Sequence, residues 1–460
     1  MQRLLPHPPA LAGDAADLRG RGEGLGDASR GAGGGSSSGP PRWTSVLALA
    51  LLTGCGDQQG SEAPIGPEAM PPGMWTDVRF AQGASDLTEA ERERLESLGA
   101  LGYATALEAP AGPVGVVEAR PGRGEGPLLY TSGHGAEATL MADDGSVLHR
   151  WAHPFSSLPG ESAPPHPTQE PWRRVRVLED GGLLALHDGV GLLRLDAESR
   201  LLWWHPGGEH HDLWLDPDGS IWTLTRAPVA VPALGPEPVL DDRLAHLGAD
   251  GSLLGEWSLL RALLDSRHAD LVLRSETEAG DPLHANSLHP VGAALAARVP
   301  GATPDQFLVS LRNVSALVTL DPATGSVGAV LQGPFVRQHD ARPTAEGHVL
   351  LFDNMGAEGW SRALEWEPRS DGIAWSWGGP QGQRLLSVFC GAAQRLPGGT
   401  TLVTESAAGR AFEVAASGEV LWRFESPHRS GPDGRLVGVL YEVQRLADVP
   451  RGLQERLQGR

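Results

Sequence analysis

The clearest pattern along the chain is a polar turn followed by a short apolar strand, and it recurs between about residues 125 and 445. Each copy begins at a turn, usually of the Asp-Gly type, and often ends on a tryptophan. The six copies are 144–151, 198–204, 250–257, 324–331, 371–377 and 417–422. A second signal, a turn glycine followed by an apolar strand, interleaves with the first at 180–186, 218–222, 346–352 and 397–403.

Short strands separated by glycine and aspartate turns, repeated six times, predict an all-β protein. The specific prediction is a six-bladed β-propeller with one four-stranded sheet per blade, preceded by a short helical or extended N-terminal segment. A β-sandwich would have a similar density of strands but would not repeat its tryptophans at fixed places. We therefore expect the tryptophans to pack between neighbouring blades. The alternating stretch 435–446 is expected to supply the strand that closes the ring.

The N-terminal part of the chain has a different composition. An apolar run at 46–52 leads into Leu52-Thr53-Gly54-Cys55, which resembles a bacterial lipoprotein signal whose cysteine takes the lipid. The alternative is a short apolar stretch in an unstructured leader. The expected division is a leader and signal segment over 1–54, a tether with a short helix at 87–98 over 55–124, the propeller over 125–446, and a C-terminal tail over 447–460. The expected location is the bacterial cell envelope, periplasmic or otherwise extracytoplasmic, with the membrane reached only through a lipid anchor on Cys55.

Composition narrows the functional classes. The formal net charge of −20 excludes a general nucleic-acid binder, which needs a basic surface. All 37 basic residues are arginine, and only three asparagines occur, as a high-GC genome would produce. The surviving asparagines, Asn286, Asn313 and Asn354, are therefore informative. If Cys55 carries a lipid, Cys390 has no disulfide partner.

Candidate chemistry lies at the ends of four apolar strands. In a propeller the innermost strand of each blade lines the central channel, so equivalent positions from different blades converge. The four clusters are His210-His211-Asp212, His284-Ala285-Asn286-Ser287, Arg312-Asn313, and Gln338-His339-Asp340. His211 and His339 each precede an aspartate and a strand, which makes them equivalent in the repeat. The isolated histidines, among them His187 and His289, are expected to be solvated surface residues.

This ordered set of motifs, together with Leu-Leu-Phe-Asp-Asn at 350–354, resembles the bacterial arylsulfate sulfotransferases over about 125–445. The resemblance implies a six-bladed propeller that moves a sulfuryl group from a phenolic sulfate ester to a phenolic acceptor, with no cofactor and no nucleotide sulfate donor. It further implies that His339 attacks the sulfur and forms a sulfohistidine. The other implied catalytic residues are His211, His284 and Arg312, and the implied substrate-binding residues are Asn286, His210 and Asn313. Within the histidine pair, His211 is expected to face the channel.

The residue types suit this chemistry. A neutral imidazole is a competent nucleophile, a guanidinium holds the sulfate charge, and a second histidine moves the proton.

The chain also departs from the better-known family members, which have an N-terminal β-sandwich and a disulfide near the site. Here residues 56–124 are too few and too polar for a sandwich, and Cys390 has no partner. The sequence therefore predicts a divergent member.

Two alternatives from other classes stay open at this stage. His211, His284 and His339 could bind a metal ion and activate water, which would suit a hydrolase or lyase. Arg312 beside a cation argues against that arrangement, so no metal site is predicted. The second alternative is a non-catalytic, membrane-tethered propeller that binds a ligand through its channel face. The sequence gives no prediction of oligomeric state.

Overall fold

A computed structural model describes residues 109, 111–165, 169–274, 280–430 and 434–458, all of them within the unit Pro64–Arg460. The leader 1–54, Cys55 and the expected helix at 87–98 lie outside the described residues. Among the described residues no helix is both long and apolar enough to cross a membrane.

The strands and helices are numbered in chain order. The strands are β1 Gly115–Ala119, β2 Leu128–Ser132, β3 Glu137–Met141, β4 Val147–Ala152, β5 Trp172–Val177, β6 Leu183–His187, β7 Gly191–Leu195, β8 Leu201–His205, β9 Glu209–Leu215, β10 Ile221–Val229, β11 Val239–Leu247, β12 Leu253–Ser258, β13 Ala285–Pro290, β14 Phe307–Leu311, β15 Ala316–Asp321, β16 Ser326–Leu331, β17 His339–Pro343, β18 Val349–Ala357, β19 Trp360–Glu367, β20 Gly372–Gly378, β21 Ala392–Arg395, β22 Thr401–Glu405, β23 Arg410–Val414, β24 Val420–Glu425, β25 Arg429–Ser430, β26 Leu436–Val437 and β27 Leu440–Arg445. The helices are a 3-10 turn Phe155–Ser157, α1 Leu259–Leu264, α2 Asp270–Leu273, α3 Gly292–Ala296 and α4 Arg451–Gln458.

The strands form six antiparallel sheets, which we number as blades. Blade 1 is β27-β2-β3-β4 from the inside outwards, and blades 2 to 6 are β5–β8, β9–β12, β13–β16, β17–β20 and β21–β24. The innermost strands β5, β9, β13, β17, β21 and β27 contact one another in turn around a closed ring. The described residues therefore form the six-bladed β-propeller that the sequence predicts.

The repeated tryptophan signal corresponds to one position in the blade. The six copies form the outermost strands β4, β8, β12, β16, β20 and β24. Tryptophan Nε1 atoms donate hydrogen bonds to turn carbonyls of the next blade: Trp151 to Gly181 at 3.1 Å, Trp203 to Ala249 at 3.1 Å, and Trp377 to Gly418 at 3.1 Å. These contacts confirm packing between blades.

A steric contact explains why the turn of the same repeat usually contains a glycine. Gly251 has a φ of +82°, and a Cβ atom there would lie 2.9 Å from Cε3 of Trp203 in the preceding blade. A side chain at this position would strain the backbone and also collide with the indole ring. Gly325 and Gly418 pack in the same way against Trp257 and Trp377, so the Asp-Gly type of turn and the tryptophan recur together at these three boundaries between blades.

Both ends of the described chain close the ring. Strand β27 pairs with β2 as the innermost strand of blade 1, and β1 pairs with β24 at the outer edge of blade 6. Trp422 crosses the same boundary, with Nε1 3.4 Å from the carbonyl of Asp143. The Arg445 guanidinium, almost fully buried, lies 2.6 Å from Asp143 and 2.9 Å from Glu413. Closure thus combines strand pairing, aromatic packing and a buried ion pair.

Two segments extend the propeller beyond the range 125–446 expected from the sequence. Strand β1 belongs to the stretch expected to be a tether, and it adds a fifth strand to blade 6 because the outer edge of β24 offers unpaired backbone groups. The C-terminal tail contains helix α4, whose Leu453 is buried in the core between blades 1 and 2. Apolar burial therefore holds both segments on the ring.

The closing boundary gives a stability prediction. Trp422 is fully buried, so Trp422→Ala should lower the free energy of unfolding by about 3–5 kcal/mol in urea titrations. As a control on another outermost strand, Leu202→Ala should change it by less than about 0.5 kcal/mol, because Leu202 is 53% exposed. Equal effects of the two substitutions would contradict the importance of this boundary.

Candidate active site

The site is built at the beginnings of the innermost strands. The pairing between β5 and β6, β9 and β10, β13 and β14, and β17 and β18 is interrupted by a bulge near the start of each innermost strand. A bulge re-aims side chains relative to the sheet. His211 and His284 also have left-handed backbone conformations, with φ of 59° and 54°. The same local irregularity therefore turns residues of several blades towards one another.

Three of the predicted histidines meet at this place. The ring centroid of His211 lies 4.9 Å from that of His284 and 6.5 Å from that of His339, and the last two are 6.4 Å apart. One ring nitrogen from each lies within 4.8 Å of the others. The side chains come from blades 3, 4 and 5 and are at most 3% exposed. The structure thus brings together residues separated by more than a hundred positions in sequence.

The hydrogen bonds of His339 define its protonation. Its Nδ1 lies 2.9 Å from Asn354 Oδ1 and 3.2 Å from the carbonyl oxygen of Arg337. Both partners are acceptors, so Nδ1 carries the hydrogen. Its Nε2 lies 3.3 Å from the backbone N–H of Cys390, which donates to it. The imidazole is therefore neutral, with the lone pair on Nε2.

His284 is held by a carboxylate. Its Nδ1 lies 2.9 Å from Oδ2 of Asp281, whose Oδ1 also accepts the backbone N–H of His284. Burial raises the pKa of Asp281 to about 6, and burial together with Asp281 raises the pKa of nearby Asp242 well above its usual range. A carboxylate bonded to one imidazole nitrogen orients the ring and stabilises its protonated form.

The adjacent histidines His210 and His211 face different surroundings. Their Nδ1 atoms are 2.9 Å apart, and Arg226 Nη2 approaches both, at 2.8 Å and 3.2 Å respectively. His210 Nε2 contacts the carbonyl oxygen of Thr225 and the carboxylate of Asp242. The contacts of His210 therefore lie within blade 3, whereas His211 joins His284 and His339.

Three buried arginines surround the histidines. Arg173 is on β5, Arg226 on β10, and Arg312 directly follows β14. Burial and these guanidinium groups lower the pKa of all three histidines: Arg312 acts most on His284 and His339, and Arg173 most on His211. The imidazoles are consequently neutral at pH 7 in the substrate-free site, and the fixed positive charge favours an anionic ligand.

The two predicted asparagines bind protein groups. Asn286 Nδ2 donates to the carbonyl oxygen of Gln338, next to His339, at 2.8 Å. Its buried Oδ1 has no hydrogen-bond partner among the described residues. Asn313 accepts a hydrogen bond from Arg312 at 2.6 Å and donates to the carbonyl oxygen of Asp281 at 2.8 Å. Asn313 thus positions Arg312, while Asn286 supports the backbone before His339 and has a spare acceptor.

A buried ion network lies directly behind this site. Arg174 lies 3.0 Å from Asp212, 3.1 Å from Asp340 and 2.6 Å from Glu442. Arg176 and Arg342 complete the network. Although burial alone would raise the pKa of Glu442, the three arginines lower it well below its usual range. The channel therefore consists of a layer of histidines and arginines backed by a charge-balanced layer.

Several site residues were not found from the sequence. Arg173, Arg226 and Asp281 carry no distinctive motif in a chain where every basic residue is arginine. Asn354 had a usable signal, because it is one of only three asparagines.

The expectation that the isolated histidines are solvated was wrong for two of them. His187 and His289 are buried in the structure. His187 lies at the end of the second strand of blade 2, where it accepts a hydrogen bond from Trp172 Nε1 at 3.1 Å. His289 lies on β13, where it faces Trp214 and the ion network. His289 is covered by residues of blade 3, and His187 by Trp204 of its own blade and by Phe155 of the preceding turn, which is why neither side chain reaches solvent.

Fold and site together define a β-propeller whose axial histidines are surrounded by buried arginines. A model of the family described as Arylsulfotransferase (ASST) matches residues 174–427, more than half of the chain. The protein therefore belongs to the arylsulfotransferase family. The matched range contains the predicted residues of all four clusters.

Solved structures with a similar fold share little sequence. A protein of unknown function from Bacteroides caccae is 12% identical, with a TM-score of 0.46 over 70% of this chain and 98% of that one. A streptogramin B lyase is 12% identical, with a TM-score of 0.41 over 74% and 95%. The WD40 β-propeller domain of Doa1 is 11% identical, with a TM-score of 0.39 over 74% and 95%. No curated protein matches the sequence.

The electrostatics of the site can be tested by titration. Arg312→Gln removes a positive charge beside His284 and His339, so the pKa values of both should rise, because a nearby cation disfavours the protonated imidazole. NMR titration of histidine ring resonances measures the change. His205 is the internal control, since its pKa is raised by a hydrogen bond to Glu209 and should stay unchanged. Unchanged titration of His284 and His339 would contradict the role given to Arg312.

Proposed function

We propose that the protein transfers a sulfuryl group from a phenolic sulfate ester to a phenolic acceptor through a sulfohistidine on His339. The observation that carries the proposal is a neutral imidazole with its lone pair on Nε2, buried beside three arginines. A neutral nitrogen nucleophile next to fixed positive charge suits attack on an anionic sulfate ester. Membership of the arylsulfotransferase family supports the same class of reaction and aryl substrates.

In the first half-reaction, the hydrogen bond from the backbone N–H of Cys390 to Nε2 of His339 breaks, and the released lone pair attacks the sulfur of the donor. The N–S bond forms, the S–O bond to the aryl group breaks, and the phenolate leaves with the electron pair. The charge on the non-bridging oxygens is held by Arg312 and by the other guanidinium groups at the site, Arg173 and Arg226. The hydrogen on Nδ1 stays bonded to Asn354, which stabilises the positive charge that develops on the ring.

In the second half-reaction, the acceptor phenol loses its proton to His284 as its oxygen attacks the sulfur. The new S–O bond forms, the N–S bond breaks, and neutral His339 is regenerated. Asp281 holds His284 in place and stabilises its protonated form, in the manner of a carboxylate-histidine pair. The proton then leaves through His284 to solvent or to the departed phenolate, so the overall reaction conserves charge and protons.

Burial of the site favours transfer over hydrolysis. The three histidines and Arg312 are at most 5% exposed, so little water can reach a sulfohistidine. The same burial requires that the groups covering the site move when substrates enter. The remaining candidate for binding the substrate is Asn286, whose buried Oδ1 has no hydrogen-bond partner among the described residues.

The three-histidine geometry would also suit a metal ion, since one nitrogen from each ring lies within 4.8 Å of the others. The charges around it favour an anion instead. Arg173, Arg226 and Arg312 would repel a cation, and the hydrogen bonds that position the three rings do not depend on one. A metal-dependent hydrolase is the second candidate function, and the nitrophenyl sulfate assay described below distinguishes it from sulfuryl transfer.

The location outside the cytoplasm and lipid attachment at Cys55 are part of the same proposal. They rest on the signal-like sequence before Cys55.

The experiment that tests the reaction is transfer from 4-nitrophenyl sulfate, followed as nitrophenolate release with and without added phenol. Steady release should require phenol, because the sulfohistidine must be discharged. His339→Asn should lower the rate by about 10³-fold or more, since a side-chain amide cannot replace the nucleophile.

His348→Asn is the matched control. His348 is bonded to Glu365 at 2.8 Å and lies outside the site, so this variant should keep the wild-type rate. Phenol-independent release that a chelator abolishes would favour the metal hydrolase. Full activity in His339→Asn would contradict the proposed nucleophile.

A further inference from the structure

The residue that fixes His339 is itself held from another blade. Asn354 is fully buried on β18, next to β17, which begins at His339. Its Nδ2 donates to the carbonyl oxygens of Ser387 at 2.5 Å and of Cys390 at 2.7 Å. Both carbonyls belong to the segment that leads into β21 of blade 6. With two acceptors on one side, the amide has only one orientation that satisfies its hydrogen bonds.

That orientation determines which atom meets His339. Asn354 presents Oδ1, an acceptor, to Nδ1 of His339 at 2.9 Å. A reversed amide would place two donors of Nδ2 against the ring and would also leave the two carbonyls without their donor. The chain of contacts therefore runs from the blade 6 segment to the amide and from the amide to the imidazole.

The blade 6 segment also contacts the other side of the ring. The backbone N–H of Cys390 points at Nε2 of His339 at 3.3 Å, and Cys390 has a φ of 55°. An N–H donor at this place requires a lone pair on Nε2. The same short segment thus selects the ring's protonation from both sides, once through Asn354 and once directly.

We infer that Asn354 is a positioning residue, which keeps His339 in the tautomer protonated on Nδ1 and so keeps Nε2 available as the nucleophile. The inference rests on the proposed function for its catalytic consequence, but the tautomer itself is measurable without any substrate. One nearby group, Ser361, allows the role to be separated from simple anchoring of the blade 6 segment.

The matched control is Ser361, which anchors the same segment without touching His339. Ser361 Oγ accepts the backbone N–H of Ser387 at 2.9 Å and donates to the carbonyl oxygen of Asn354 at 2.8 Å. Ser361→Ala therefore loosens the segment and leaves Oδ1 of Asn354 in place. Asn354→Ala removes both the anchor and the acceptor for Nδ1.

The test measures ring nitrogen-15 chemical shifts of His339 in full-length protein labelled on histidine, with the resonances assigned from the His339→Asn spectrum. Wild type and Ser361→Ala should show hydrogen on Nδ1. Asn354→Ala should show a mixture of tautomers, because the carbonyl of Arg337 remains as a weaker acceptor at 3.2 Å. The rate of transfer should fall by about 10–100-fold in Asn354→Ala, with a smaller change in Ser361→Ala.

Asn354→Asp is the second variant: a protonated aspartate can still donate to the carbonyl oxygen of Ser387 or Cys390 in place of Nδ2. Its other oxygen then accepts from Nδ1 of His339, so the hydrogen should stay on Nδ1. An unchanged tautomer in Asn354→Ala, or an equal change in Ser361→Ala, would overturn the inference. If wild type shows the Nδ1 tautomer but transfers no sulfuryl group, the proposed function fails while the positioning role of Asn354 stands.

Discussion

The arrangement of the site depends on one buried guanidinium at the axis of the propeller. Arg174 of blade 2 contacts Asp212 of blade 3, Asp340 of blade 5 and Glu442 of blade 1. Arg174, Asp212 and Asp340 directly follow Arg173, His211 and His339 in the sequence. Fixing the ion network therefore also fixes the backbone that positions these site residues. Removing one partner from such a network leaves buried charge uncompensated, which costs about 3–5 kcal/mol. The network therefore holds the innermost strands together directly beside the histidine site.

Next to this ion network, the site keeps its histidines buried and at the same time unprotonated. Burying histidines beside arginines disfavours their protonation. This arrangement leaves neutral imidazoles in an environment that attracts anions. Different hydrogen-bond partners then distinguish two of these imidazoles: His339 keeps an unprotonated Nε2, and His284 is bonded to a carboxylate. In the proposed reaction, the same residue type can therefore serve as nucleophile and as base, because its surroundings differ.

The fold was predictable because the physical requirement behind it repeats. Every blade needs a tight turn before its outermost strand, so the pattern returns six times, and at three boundaries the turn glycine packs under the indole of the preceding blade, as Gly251 does under Trp203. His211 and His339 were noticed for the same reason, as both precede an aspartate in the repeat. Arg173, Arg226 and Asp281 were not predictable, because their role comes from the contact of different blades and not from local sequence. The burial of His289 was missed for the same reason.

The central claim is that sulfur becomes bonded to a single nitrogen of this protein during turnover. The most direct measurement is a rapid alkaline quench after mixing with 4-nitrophenyl sulfate in the absence of acceptor, followed by peptide mass spectrometry. Alkaline conditions are chosen because the N–S bond of an N-sulfonated imidazole is labile in acid. The account predicts a sulfuryl group on the peptide containing His339, lost when phenol is added before the quench. A sulfuryl group on another residue, or none despite nitrophenolate release, would contradict it.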